Sequence, residues 1–337
     1  MKRLGTLICA VLLLGWAGTI QAQGFDKAGT VGFQTLKLGI GARAAALGES
    51  FVAMADDPSA AYWNPAGLAR QGLGAHFSTL QWPADIAVNT AIVTIPTPVG
   101  AIAASGTMMT TGYMIERTEF QPEGNGKVFT FAENVFALSW ARALTDRFSF
   151  GITGKYLHQR LADYTNQTWA FDVGTLYMIT PRLWIGMSAQ NFGPDLGYSY
   201  DNDHDGQTNE DPNDQMDNDK DGRIDEDGPE ASEPLPLMFQ VGLAYTAWQS
   251  GPNKLVTAIK GLHFNDNREE VSVGGEYSIV NMLFLRGGYR FNRDIGTWTA
   301  GAGVRIPFGV GAAMVDYAYS ELGYLTQAHR ASLTLTF

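Results

Sequence analysis

Two acidic hexapeptides in the second half of the chain carry its clearest chemical pattern. The sequence Asp-Asn-Asp-His-Asp-Gly at 201–206 recurs at 217–222 as Asp-Asn-Asp-Lys-Asp-Gly. Carboxylates at alternate positions, followed by a glycine for a sharp turn, place several oxygen atoms around one hard cation such as Ca²⁺. The sequence therefore predicts bound calcium in each copy. The predicted ligands are Asp201, Asp203, Asp205, Asn209 and Asp211 in the first copy, and Asp217, Asp219, Asp221, Asp225 and Asp227 in the second.

These repeats differ from the EF-hand loop at its twelfth position. A bidentate Glu normally stands there, whereas this chain has Pro212 in the first copy and Gly228 in the second. The pattern instead resembles the Asp-rich calcium repeats of thrombospondin type 3. The alternative is a solvated acidic loop that binds cations loosely. The predicted role of the bound calcium is to make the loop rigid rather than to catalyse a reaction.

Almost all of the net charge belongs to this loop. Residues 201–227 contain twelve Asp or Glu against Lys220 and Arg223, which accounts for −10 of the chain's formal charge of −11. The acidity is therefore local and does not describe the rest of the surface. We predict no nucleic-acid partner.

The remaining reactive residues form no catalytic pattern. The five histidines are scattered, and the sequence shows no nucleophile elbow, no paired catalytic carboxylates and no Cys/His set. The single cysteine, Cys9, lies within the apolar N-terminal stretch. We therefore predict a protein that is not an enzyme.

The N-terminus has the pattern of a secretory signal. Lys2 and Arg3 precede an apolar stretch from Leu4 to Trp16, and small and polar residues follow as far as Ala22. The stretch is shorter than the roughly 20 residues that a membrane-spanning helix needs. We predict that residues 1–22 form a cleaved signal peptide and that the protein is exported.

From about residue 72 onward, apolar and polar residues alternate. Leu333, Leu335 and Phe337 alternate with Ser332, Thr334 and Thr336, as expected when one strand face meets lipid and the other a polar interior. The terminal Phe337 resembles the end signal of bacterial outer-membrane barrels. The pattern predicts an all-β fold, a transmembrane antiparallel β-barrel over 72–337. About fourteen strands are predicted, near 73–82, 86–96, 99–109, 133–142, 147–160, 167–179, 182–192, 237–248, 253–264, 269–279, 281–291, 296–307, 309–319 and 327–337.

The lengths of the connections agree with this count. Short turns follow the even-numbered strands, whereas the long connections, such as 110–132 and 193–236, follow odd-numbered ones. Short periplasmic turns and long external loops are typical of these barrels. The Asp-rich loop, 195–235, is therefore predicted to be extracellular.

Residues 23–71 do not have the pattern of strands. Ala42 to Met54 is alanine-rich and helical in character, and a second short helix is predicted with Asp57 as N-cap and Pro58 at its first position. We predict that 23–71 form a hatch inside the barrel; the alternative is a periplasmic extension. Charged residues predicted to face the lumen either pair with one another and with the hatch, which is favoured, or line a channel. These are Lys155, Asp172, Glu276, Arg286, Arg290, Arg305 and Asp316.

Two segments of the N-terminal region resemble a known family. Gly-Ala-Arg-Ala-Ala-Ala-Leu-Gly at 41–48 and Ala-Asp-Asp-Pro-Ser-Ala-Ala-Tyr-Trp-Asn-Pro-Ala-Gly-Leu at 55–68 are similar to the N-terminal signature of PorV/PorQ proteins, relatives of the FadL-like barrels. The resemblance implies a fourteen-stranded barrel with an N-terminal hatch. It also implies a link to type IX secretion, in which such proteins engage exported cargo or attach it to the cell surface. The Asp-rich repeats are not part of that family pattern.

Two functions follow from these observations. The first is a non-enzymatic accessory of type IX protein secretion in the outer membrane, with lipid, secretion-system components or exported cargo as its partners. The second is a FadL-like passive transporter of hydrophobic small molecules. An apolar path inside the barrel would favour transport, and a filled polar lumen would favour the accessory.

Overall fold

A closed antiparallel barrel of fourteen strands forms the body of the protein. The computed structural model describes residues 29–161, 164–197, 232–293 and 296–337. The strands are β1 (Gly74–Trp82), β2 (Ile86–Thr97), β3 (Gly100–Thr110), β4 (Phe131–Ala143), β5 (Phe148–Leu161), β6 (Tyr164–Thr180), β7 (Leu183–Phe192), β8 (Met238–Ser250), β9 (Asn253–Phe264), β10 (Glu270–Ile279), β11 (Leu283–Phe291), β12 (Trp298–Phe308), β13 (Gly311–Glu321) and β14 (Gln327–Thr336).

Each strand pairs with its neighbours in the chain, and the first pairs with the last. Gly74 of β1 lies opposite Thr336 of β14, and the backbone N–H of Phe337 donates to the Leu73 carbonyl at 2.9 Å. Closure leaves no free strand edge, so the backbone polar groups of the wall are satisfied within the barrel. The predicted fold class and strand count are confirmed, and every predicted strand end lies within three residues of the observed one.

The alternation along each strand separates the two faces of the wall. In β8, Phe239, Val241 and Leu243 point outward and are exposed, while Gln240 between them is buried in the interior. Large exposed apolar side chains recur in this way on neighbouring strands, as expected for a belt that meets lipid. Examples are Phe77, Val93, Leu138, Ile152, Phe171, Leu285, Val304 and Val315.

Short turns join the strands at one end of the barrel, here called the short-turn end, and the long connections lie at the other, the long-loop end. Two small two-stranded sheets belong to the long connections. Met114–Ile115 pairs with Val128–Phe129, and Leu196–Gly197 pairs with Ser232–Glu233. A 3₁₀ turn, Gly323–Leu325, lies between β13 and β14.

The segment 29–71 lies inside the barrel, and it is here called the hatch. It contains a 3₁₀ turn (Gln34–Lys37), helix α1 (Ala42–Ala46), helix α2 (Ala60–Trp63) and a second 3₁₀ turn (Pro65–Arg70). None of the helices in the described part of the chain is long and apolar enough to cross a membrane.

The helix expected over Ala42 to Met54 is much shorter than predicted. Gly48 and Glu49 both have left-handed backbone angles, with φ of 61° and 63°. A helix cannot continue through such residues, and left-handed backbone commonly ends one. The second helix begins two residues later than predicted, at Ala60 with Ser59 as its N-cap. Asp57, the predicted N-cap, accepts a hydrogen bond from the Ser59 N–H at 2.9 Å.

Candidate functional site: the hatch inside the lumen

The predicted calcium ligands, Asp201 to Asp227, lie outside the described residues. Calcium binding there stays a prediction. Within the described ranges, no group of three or more His, Cys, Asp or Glu side chains is arranged to hold a metal ion.

One face of the hatch is anchored to the wall through Arg43. Its guanidinium donates to both carboxylate oxygens of Glu276 on β10, at 2.8 and 3.0 Å, and to Asp57 of the hatch itself at 3.1 Å. Glu276 also accepts from Arg286 on β11 at 2.6 Å, and Arg286 in turn binds Asp316 on β13 at 2.7 Å. Bidentate pairing fixes the angle as well as the distance between the groups. The network thus holds α1 against β10 and β11 and extends across the wall to β13.

A second anchor is formed by Glu49, the second residue of the left-handed turn. Its carboxylate lies 2.9 Å from Arg290 and 3.9 Å from both Arg293 and Arg330. The positive charge of Lys260 also attracts it. Burial alone would raise the pKa of Glu49, but these cations outweigh burial and lower the pKa to about 2. Glu49 therefore stays ionised at neutral pH.

Glycines on the inner wall let the hatch backbone touch the strands. A side chain at Gly274 would place its Cβ 2.4 Å from the Leu47 carbonyl oxygen, and one at Gly288 would meet the Gly48 nitrogen at 2.1 Å. The Gly48 N–H donates to the Thr299 hydroxyl at 3.0 Å, and that hydroxyl donates to the Ala46 carbonyl. Only residues without a Cβ allow this approach.

This contact predicts that an alanine substitution destabilises the seated hatch at one of two adjacent glycines of β10 and has no effect at the other. Gly274→Ala should destabilise the seated hatch by about 1–3 kcal/mol, because its methyl group would overlap the Leu47 carbonyl. Gly275→Ala is the matched control, since Gly275 faces outward and no heavy atom lies within 4 Å of the position that its methyl group would occupy. Protease protection of the hatch in detergent measures the difference. Equal protection of the two variants would contradict the predicted contact.

The rest of the hatch is held together by its own side chains. The Tyr62 hydroxyl lies 3.0 Å from both the Leu36 and Leu38 carbonyl oxygens, and Trp63 Nε1 donates to the Ile40 carbonyl at 3.2 Å. Asn64 donates to the Val52 carbonyl at 2.9 Å. The signature segments at 41–48 and 55–68 thus supply the Arg43 anchor and most of the hydrogen bonds that hold the hatch together, and Glu49 follows the first segment directly.

The face of the hatch opposite the anchors borders a narrow cavity. Its volume is about 20 Å³, enough for a water molecule but far too small for an aromatic ring. Apolar groups predominate in the lining, with a few hydroxyls and Lys155 at one side. The lining includes Leu36, Ile40, Tyr62, Ile92, Val135 and Ala137.

Apolar side chains continue from this cavity toward the long-loop end. Leu80, Val88 and Met109 of β1 to β3 pack with Leu322 and Ala328 in a buried cluster on the inner face. A neighbouring cluster joins Phe33 and Leu36 of the hatch to the strands on the other side of the cavity through Val135, Leu157 and Ala170. Most of the buried ion pairs lie on the side of β9 to β14. Apolar groups predominate on the side of β1 to β6, although that side also holds the buried Lys155–Asp172 pair and Glu133.

A second, wider cavity opens below the hatch at the short-turn end. Its volume is about 390 Å³. Met54, Trp184 and Val256 supply apolar walls, and the Arg70 guanidinium stacks 4.4 Å from the Trp184 ring centroid. This cavity is large enough for a small organic molecule.

Most of the predicted inward charges are paired. Lys155 binds Asp172 at 2.7 Å, and the contacts of Glu276, Arg286, Arg290 and Asp316 are those given above. Arg305 is the exception, because it lies exposed near the short-turn end of β12. Sequence reasoning missed Glu49, Lys260 and Arg330, although the last two occupy inward positions of predicted strands and could have been found from strand parity.

The comparisons with known proteins bear on the fold. No protein-family profile and no curated protein sequence matches the chain. Among solved structures, the toluene transporter TbuX of Ralstonia pickettii is 14% identical with a TM-score of 0.57, over 88% of this chain and 97% of TbuX. The toluene transporter TodX of Pseudomonas putida is 10% identical with a TM-score of 0.53, over 82% and 92%. A FadL homologue of Pseudomonas aeruginosa is 11% identical with a TM-score of 0.52, over 89% and 98%.

The chain has a FadL-like barrel fold. At these identities the likeness concerns the fold alone. Two of these neighbours are named as transporters, which is consistent with the predicted absence of enzymatic activity. The narrower resemblance to PorV/PorQ proteins stays a prediction.

Proposed function

We propose that this protein passively passes small hydrophobic molecules across the outer membrane. The observation that carries the proposal is the apolar side of the lumen, which leads from the long-loop end to the cavity beside Ile40 and Tyr62. A hydrophobic solute gains free energy on leaving water for such a surface. The similarity to two toluene transporters supports the same class of solute.

The described arrangement is a closed state. The cavity of about 20 Å³ must widen before an aromatic ring can pass. Widening requires movement of the hatch face formed by Leu36, Ile40 and Tyr62. This face is held by hydrogen bonds within the hatch, by apolar packing against the wall, and by the Thr35 N–H, which donates to the Glu133 carboxylate on β4 at 2.9 Å. The Arg43 and Glu49 anchors lie on the other side and can remain in place during such a movement.

The test is a substitution that fills the cavity with a larger side chain. Ala137→Trp adds a large side chain on the inner face of β4, and toluene accumulation by cells that express it should fall to the rate of cells without the protein. Leu138→Trp is the matched control, because Leu138 is the next residue of the strand and is 68% exposed on the outer face. Equal accumulation by the two variants would contradict the proposed path.

A second function, the type IX secretion accessory, is favoured by the ion pairs that fill the other side of the lumen. The ion pairs of Arg43 and Glu49 hold the hatch to the wall. A barrel made rigid in this way would form a platform for secretion components or exported cargo. In this proposal the Asp-rich loop, ordered by calcium, forms part of the partner surface.

Crosslinked co-purification from native outer membrane, in calcium and then in chelator, separates the two functions. Recovery of secretion components, combined with toluene accumulation no faster than in cells without the protein, would establish the accessory and exclude the transporter. Rapid accumulation of toluene that Ala137→Trp abolishes would establish the transporter.

A further inference from the structure

The charges around Glu49 do not balance. Three buried cations, Lys260, Arg290 and Arg330, surround this one carboxylate, and their exposures are 0%, 2% and 3%. Arg293 does not alter the count, because it has its own partner in Glu270 at 3.1 Å. Among the residues that the structure describes, two positive charges inside the lumen therefore have no acid of their own.

The hydrogen bonds of the three cations show which two lack a partner. Arg290 is satisfied, since it lies 2.9 Å from Glu49 and donates to the Gly296 carbonyl at 2.6 Å. Lys260 Nζ and Arg330 Nε, in contrast, make no hydrogen bond within the described residues. An ammonium group buried without a partner is costly, and the Trp63 ring, 5.7 Å from Lys260 Nζ, compensates for only part of that cost.

We propose that a small inorganic anion of the halide class binds between Lys260 on β9 and Arg330 on β14, beside Glu49. Both donors are charged and both lie near the Glu49 carboxylate, so one anion beside it would interact with each. The hatch packs closely around Glu49, where a Cβ at Gly39 would lie 2.7 Å from both the Glu49 carboxylate and the Trp63 ring, and the proposed anion is therefore monatomic. The anion would link the Gly48–Glu49 turn of the hatch to β9 and β14, two strands with which Glu49 itself makes only weak contacts.

The consequence is that seating of the hatch depends on anion concentration, whichever function the barrel serves. A ligand that binds only the seated state stabilises that state in proportion to the logarithm of its concentration above Kd. Chloride should therefore raise the melting temperature of the hatch in a saturable way. A general salt effect would instead weaken the ion pairs without saturating.

The experiment uses the folded full-length protein in nonionic detergent at constant sodium concentration, with methanesulfonate replaced stepwise by chloride, bromide or phosphate. Saturable stabilisation by chloride and bromide is expected. Lys260→Met should remove it. Lys254→Met, on the same inward face of the same strand at the short-turn end, should retain it.

Crystals soaked in bromide provide a direct readout that does not depend on any variant folding. An anomalous peak within hydrogen-bonding distance of Lys260 Nζ is expected. Identical melting in all the salts with no such peak would overturn the proposal. Stabilisation by phosphate alone, or stabilisation that persists in Lys260→Met, would also overturn it.

Discussion

Replacing Arg43 with methionine should release the hatch from the wall while leaving the barrel closed. The variant keeps an apolar stem of similar length but loses the donors to Glu276 and to Asp57. Glu276 would still be paired with Arg286 but would lose its bidentate partner. Breaking a buried ion pair by removing one partner typically costs about 3–5 kcal/mol. The strand ladders do not involve Arg43, so the loss falls on the hatch.

Hydrogen exchange measures this effect residue by residue. Amides of α1 and of the Gly48–Glu49 turn should exchange much faster in Arg43→Met, whereas amides of β10 and β11 should keep their protection. Conductance in planar bilayers should rise as the lumen is no longer filled. Arg182→Met is the control, because Arg182 is exposed in a turn at the short-turn end and has no ion pair within the described residues. Unchanged exchange in α1 would show that Arg43 is not an anchor.

The barrel could be predicted from the sequence because its determinants are local. Alternation in a segment such as Phe239 to Tyr245 fixes which side chains face lipid, and the lengths of the connections fix the parity of the strands. Hydrogen bonding between neighbours in the chain then leaves one closed arrangement. These rules need no knowledge of residues far away in the sequence.

The site could be predicted only in part because its determinants are not local. Glu49 meets Arg290 across 241 positions of sequence, and the sequence around Glu49 resembles the middle of a helix rather than a turn. The left-handed backbone at Glu49 is stabilised by the contacts that it makes with the wall, so tertiary structure overrides helix propensity there. The cavity beside Tyr62 depends in the same way on how the whole hatch is seated.

Glu49→Gln should strongly destabilise the seated hatch at neutral pH, and its effect should disappear in acid. The pKa of Glu49 is lowered to about 2 from an ordinary value of 4.5, because Arg290 and its neighbouring cations outweigh the effect of burial. A lowered pKa stabilises the folded state above the unfolded pKa. That contribution is lost as pH falls from about 4.5 toward 2, and a shift of this size corresponds to something on the order of 3 kcal/mol.

The measurement is the free energy of hatch unseating, from hydrogen exchange or protease protection, for both proteins between pH 7 and pH 2. The difference between wild type and Glu49→Gln should be constant above about pH 5 and shrink below it. Subtracting the variant cancels the other groups that titrate in this range, Asp56 and Asp57 included. Glu119→Gln, in an exposed external connection, should show no pH-dependent difference. A difference that stays constant down to pH 2 would mean that Glu49 stabilises the hatch through packing rather than through its charge, and the cations of β9, β11 and β14 would then require another counterion.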